Sequence, residues 1–229
     1  GLCRFHNFLN YYLLKYFFLR VSMLNSSNIM RIVSISMVFI GSLFFFYGFG
    51  LNNIFNVLEP YLSEYYHIPP TVMGLVSSLY FYANILFLIP AGLLLDRYHP
   101  KIIIICAMLV CTLGTYLISV GDSLYWVIIG RCLMGAGSGF CFAGSMRIAV
   151  NWVSPKRMGL ASGFIVTMGM LGGYSVQGPL SNLIIRVGWM NSLWWISIVG
   201  LSIISLMILF LRSSPNKNSL PSSRQALVL

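Results

Sequence analysis

Acidic residues are nearly missing: Asp and Glu number 4 in 229 residues, against 14 Lys and Arg. All charged residues together are 8% of the chain, where a soluble domain carries about 25%. Eighteen charges cannot coat a 25.7 kDa globule, so a soluble fold is excluded. Disorder is excluded as well, because it requires low hydrophobicity and 58% of this chain is hydrophobic. Alternation at period 2 is absent, which removes a membrane β-barrel. No Cys-x-x-C occurs among Cys3, Cys106, Cys111, Cys132 and Cys141. Four of these lie in apolar runs, where cysteine acts as a small buried hydrophobe, so neither a disulfide framework nor a metal site is expected. Histidine is scarce too. His6, His67 and His99 all lie outside the apolar runs, so Ser138 in its glycine-rich setting has no base facing it. Intramembrane carboxylate pairs are lacking, and the chain is read as neither an enzyme nor a cofactor protein.

What is present is long continuous apolar sequence, with a mean hydropathy of +0.85. At about 20 residues per crossing, this length holds six helices, an all-α membrane protein. Span 1 is read from about Ile32 to Leu58 and span 2 from about Pro69 to Leu95. The segment holding Glu59, Pro60, Glu64, His67, Pro69 and Pro70 is expected to break the run between them. Span 3 covers about Ile102 to Val120, span 4 Leu124 to Met146, span 5 Gly159 to Leu183 and span 6 Asn191 to Leu211. Pro90 and Pro179 sit near the ends of their spans and should bend them.

Twelve of the fourteen basic residues fall on one side of this arrangement. They are Arg4, Lys15, Arg20, Arg31, Arg97, Lys101, Arg147, Lys156, Arg157, Arg212, Lys217 and Arg224. The other side holds Arg186, together with Glu59, Glu64 and Asp122. Positive-inside logic places both termini in the cytoplasm, and the localisation expected is integral and multi-pass in a bacterial inner membrane. The net charge of +10 is thereby read as topology, with the lipid bilayer rather than nucleic acid as its partner. Three segments are expected: 1–30 as a cytoplasmic N-terminal segment, 31–212 as the six spans, and 213–229 as a polar cytoplasmic tail. Residues 1–29 read either as an aromatic, basic interfacial helix or as sequence ahead of a native start at Met23 or Met30.

Polar groups within spans are costly and therefore informative. Gly48, Asn52, Asn56 and Glu59 follow at spacings that put them on one face of span 1. Arg131 lies in span 4, about eight residues or roughly 12 Å from the outer turn. A charge there needs a partner, a cavity or a ligand. Span 2 adds Tyr80, Tyr82 and Asn84; span 5 adds Thr167, Tyr174 and Gln177. Asn52, Arg131 and Gln177 fall at similar depths on the outer side of the midplane. A solute cavity explains that layer, and hydrogen bonding between helices explains it equally for an individual Asn or Gln. With Tyr47, the candidate solute-binding set is Tyr47, Asn52, Asn84, Arg131, Tyr174 and Gln177. Gly135, Gly139 and Ala143 repeat every fourth residue, as do the pairs Gly159 and Gly163, and Gly169 and Gly173, which suits close helix packing. Most of Phe44, Phe45, Phe46, Trp194 and Trp195 are expected to face lipid or the interface belt.

The segment Gly92-Leu93-Leu94-Leu95-Asp96-Arg97-Tyr98-His99-Pro100-Lys101 resembles the G-x-L-a-D-R-x-G-R-K loop of the major facilitator superfamily. It matches at Gly92, Leu94, Asp96, Arg97 and Lys101, and departs where His99 and Pro100 replace a Gly and a basic residue. Arg131, Gly135, Gly137 and Gly139 resemble that family's span 4 motif, and Gly172 to Pro179 resemble its span 5 motif loosely. Asn56-Val57-Leu58-Glu59-Pro60, Asn151-Trp152, Arg157-Met158 with Leu160-Ala161, and Met170 to Gly173 are similar to the phagosomal transporter branch. The resemblance implies six helices making one half of a transporter, a 3+3 inverted repeat. It implies uptake of an amino acid, small peptide or nucleoside by alternating access, usually proton-driven. Gly92, Asp96, Arg97, Lys101 and Arg147 would form a conformational latch. Arg131 would tune a proton carrier or bind an anionic solute group. Glu59 is the nearest carboxylate for coupling, or else a plain helix-end residue. A second group of six helices, or a second copy of the chain, is expected to complete the machine; the alternative is a remnant or interaction subunit without transport of its own.

Overall fold

The computed structural model describes residues 26–211, with side chains from residue 31 onward. The readings of residues 1–25 and of the polar tail lie outside the described residues. The helices are α1 Ser26–Tyr66, α2 Pro70–Arg97, α3 Pro100–Val120, α4 Leu124–Ser138, α5 Cys141–Trp152, α6 Met158–Ser175, α7 Ser181–Val187 and α8 Trp189–Phe210. Six units are long and apolar enough to cross a membrane. α4 and α5 together make span 4; α6, a π-turn at Val176–Leu180 and α7 make span 5; α8 is span 6.

Span 1 departs most from its expected limits. Pro60 does not end it, and α1 runs on to Tyr66. Proline forfeits one hydrogen bond, to the Asn56 carbonyl, but the apolar helix continues through it as membrane helices commonly do. The break comes at His67, the one non-glycine residue with positive φ among those described, at 53°. Its N–H donates to the Glu64 carbonyl and that of Ile68 to the Ser63 carbonyl, a 6→1 and 5→2 pair that closes a Schellman cap. Pro69 and Pro70 then start α2, where a missing N–H costs nothing.

Span 1 packs on span 5 and span 4 on span 2; span 3 lies against spans 4 and 6. Mapping spans 1–3 onto spans 4–6 exchanges the first two pairings, as an inverted repeat requires. Glycines set the approach distances. A methyl on Gly135 would meet the Tyr80 carbonyl and one on Gly139 would lie 3.0 Å from the Asn84 carbonyl. The spacing of four on both helices keeps them in register over a turn. On the other pair, a methyl on Gly172 would meet the Phe46 carbonyl, and Gly169 lies against the Phe45 ring. Gly159 and Gly163 face open space instead, so that stripe makes no contact among the described residues.

Spans 1 and 4 touch directly along one half of their length. The Ser145 hydroxyl donates to the Gly41 carbonyl at 2.8 Å, and Gly48 abuts the Cys141 thiol. Phe44 is fully buried there beside Gly144, which corrects its lipid-facing assignment; Trp194 and Trp195 are exposed as expected. Spans 2 and 5 are the least covered, 17% and 28% buried against 61% for span 4. Their exposed faces carry Leu75, Tyr82, Leu86 and Ile89 on one and Leu160, Met170 and Tyr174 on the other.

Candidate functional site

Arg131 is completely buried, the largest such side chain in the bundle. One guanidinium nitrogen donates to the Leu51 carbonyl of α1 at 3.3 Å, the other to the Ser77 carbonyl of α2 at 2.9 Å. The Phe55 and Tyr80 rings lie 4.5 and 4.8 Å from its centre. No carboxylate pairs with it among the described residues, where the one ion pair lies elsewhere. The charge is balanced by carbonyl dipoles and ring faces alone, and its Nε finds no partner. Span 4 thereby clasps spans 1 and 2 through backbone groups, which carry no mark in the sequence.

The neighbouring level of α1 carries two polar side chains, Asn52 and Asn53. Asn52 follows Leu51, and its buried Oδ1 also lacks a partner. Asn53 turns toward span 5: its amide donates to the Phe49 carbonyl at 2.9 Å and its Oδ1 accepts from Gln177 at 3.4 Å. Gln177 therefore meets Asn53 and not Asn52. Adjacent helix positions point about 100° apart, so choosing between the two asparagines required knowing where span 5 lies. Asn56 is exposed and Glu59 partly covered, farther along α1. Tyr174 is exposed on span 5 with Thr167 and Gln177.

Two candidates point elsewhere. Tyr47 is buried on the opposite side of α1, with its hydroxyl 3.4 Å from Thr115 of α3 and from the Ile196 carbonyl of α8. Asn84 donates to the Ser138 hydroxyl at 3.0 Å, which itself donates to the Gly135 carbonyl at 2.9 Å. The set is thus divided among four places, with Tyr174 apart on the exposed face of span 5. Arg131, Asn52 and Gln177 share the level of residues 51–53; Asn84 sits at the crossing of spans 2 and 4; Tyr47 locks spans 1, 3 and 6.

At the basic end, Asp96 of α2 pairs with Arg147 of α5 at 3.1 Å. Lys101 donates at 3.0 Å to the Ile208 carbonyl in the last turn of α8, capping that helix. Arg97 is exposed and Gly92 has open space beside it. Glu59, Glu64 and Asp122 lie at the opposite end with Arg186. Among the described residues, no group of three or more His, Cys, Asp or Glu side chains converges as metal ligands would.

The bundle can be set beside known proteins on these features. A bacterial homologue of the human lysosomal transporter Spinster, solved inward-facing and unoccupied, superposes with a TM-score of 0.75 at 16% identity, over 85% of this chain and 46% of that one. A probable sulfoacetate transporter of Cupriavidus necator is 25% identical over 164 residues, 72% of this chain and 38% of the relative. A hexuronate transporter of Bacillus subtilis is 26% identical over 163 residues, 71% of this chain and again 38% of the relative. The chain therefore spans less than half the length of these proteins. The family model of the Major Facilitator Superfamily matches residues 38–228. With six membrane-crossing helices in the arrangement of one transporter half, the chain is an integral, multi-pass membrane protein and belongs to the Major Facilitator Superfamily.

Proposed function

We propose that the chain supplies the amino-terminal six-helix half of a transporter that moves a small polar metabolite across the membrane by alternating access, coupled to an ion gradient. The observation that supports this reading is Arg131, a buried cation that bonds the Leu51 carbonyl and has no carboxylate partner among the described residues, with the unpartnered buried acceptor of Asn52 on the next residue of α1. A positive charge met only by carbonyl dipoles and ring faces, in a medium of low dielectric, favours an anionic partner. The solute class that follows is one carrying a carboxylate or comparable anion. An amino acid fits it, and so do the sulfoacetate and hexuronate named for two relatives. A nucleoside lacks the anion and fits less well.

The uncovered faces of spans 2 and 5 are proposed to meet a second group of six helices, supplied by more chain or by a second copy. The basic end is proposed to be cytoplasmic, in a bacterial inner membrane, with Asp96, Arg97 and Arg147 as latch residues there. Uptake of labelled glucuronate, sulfoacetate, glutamate and uridine into proteoliposomes tests the reading. Saturable uptake of an anion, lost in Arg131→Gln, supports it. Uptake of uridine alone, or none when a second six-helix half is supplied, would remove it.

A further inference from the structure

Spans 4 and 5 each lose regular α geometry within the membrane, and each does so beside a side-chain bridge to a neighbouring span. In span 4 the helix is interrupted at Gly139 and Phe140, between α4 and α5. Phe140 N–H donates to the Gly137 carbonyl at 3.2 Å, three residues back rather than four. Ser138, the last residue of α4, holds Asn84 of span 2. In span 5 the π-turn at Val176–Leu180 contains Pro179, which cannot donate to Ser175. Gln177 of that turn holds Asn53 of span 1.

The two bridged pairs, spans 2 with 4 and spans 1 with 5, are the pairs that the inverted repeat exchanges. Both stretches depart from the regular four-residue backbone bonding of an α-helix, and local opening concentrates where that bonding is weakened. Interruptions of this kind also recur at functional positions in helices. Neither bridge is required to fill space, because glycines already bring both span pairs into contact. We infer that Asn84–Ser138 and Asn53–Gln177 are two positioning clasps, each holding closed a flexible point in one of its spans, and that spans 4 and 5 bend at these points during transport. The last clause rests on the alternating-access reading; the clasps themselves do not.

The chain carries its own reporter for span 4. Cys141 is the first residue of α5 and is buried, whereas Cys106 is exposed. In lipid nanodiscs, Asn84→Ala and Ser138→Ala should each raise the rate of Cys141 alkylation by N-ethylmaleimide several-fold relative to Cys106. Ser138→Thr, which keeps the hydroxyl, should restore the original ratio. Gln177→Ala and Asn53→Ala should leave that ratio unchanged and speed amide exchange at residues 176–181 several-fold instead. Thermal melts identify any variant that unfolds globally, and the remaining variant of each pair then decides. Unchanged rates in folded variants would overturn the inference, and so would equal loosening of both stretches by every variant. No solute enters either measurement, so these outcomes are separate from the failure of the transport reading.

Discussion

Asp96 and Arg147 meet at 3.1 Å across the ends of spans 2 and 4, with the Asp96 side chain 71% exposed and that of Arg147 18%. An exposed pair of this kind is worth about 0–1 kcal/mol. It ties two spans at their basic ends only weakly. Asp96→Asn should therefore lower the melting temperature of the purified chain by no more than a few degrees. The exchanged pair Asp96→Arg with Arg147→Asp should recover it. A collapse of folded yield in Asp96→Asn would show that the pair is structural.

For Arg131 two large effects oppose each other. Placing an arginine in a span costs about 2.5–3.5 kcal/mol on insertion scales. Its two hydrogen bonds to carbonyls return about 1.5–3 kcal/mol each. Arg131→Met should therefore fold with a melting temperature near that of the parent and fail to bind or move an anionic solute. Arg131→Glu places an anion against the Leu51 and Ser77 carbonyls and should give no folded protein. Size-exclusion profiles and uptake assays read the two outcomes.

Gly200 of α8 lies where a methyl would be 2.6 Å from the Thr112 hydroxyl and 2.7 Å from that of Tyr47. Overpacking of this sort costs about 1–3 kcal/mol. Gly200→Ala should destabilise the bundle by that amount, and Tyr47→Phe should recover part of it by removing one of the two hydroxyls. A double-mutant cycle on thermal or denaturant unfolding measures the coupling. Additive effects would mean that the two residues do not meet.

His67 holds the left-handed conformation of the cap that ends α1. That conformation costs roughly 1–2 kcal/mol for a residue with a Cβ, and glycine avoids it. His67→Gly should raise stability by up to about 1 kcal/mol, with part of the gain offset by glycine's greater freedom in the unfolded chain. Gly188, with φ at 85°, gives the converse case. With ψ at 160° it lies in a region open essentially to glycine alone, so Gly188→Ala should destabilise the α7–α8 junction by about 1–3 kcal/mol, although nothing lies within 4 Å of the added methyl. Thermal melts of the two variants should move in opposite directions.

Orientation has a direct test. A cysteine at Glu64 should react with an impermeant thiol reagent applied outside intact cells, and one at Lys156 should not. The reverse pattern would invert the topology.

Residue by residue, the two kinds of information separate cleanly. The six spans were legible because each is a sum of transfer free energies along the chain, and that sum needs no knowledge of neighbours. The end of α1 lies about eight residues beyond its expected limit, because Pro60 reads as a stop in the sequence and the Schellman cap at His67 has no glycine to announce it. Arg131 stood out as a charge in an apolar run, but its partners did not, because backbone carbonyls look alike at every position. Asn53 and Ser138 are polar but carry no sign in the sequence of the bridges they make, whereas their partners Gln177 and Asn84 stand out as polar groups within apolar spans.

By itself, the sparse charge of this sequence determined a membrane protein of six helices, and the placement of its basic residues marked one end of the bundle. The close pairing of spans 1 with 5 and 4 with 2, the burial of Phe44, and the separation of Tyr47 from Arg131 were decided only in three dimensions. The reason is physical. Among lipids every apolar face is equally acceptable, so helix partners are chosen by close approach at glycines and by hydrogen bonds to carbonyls. Neither of those leaves a trace in hydropathy.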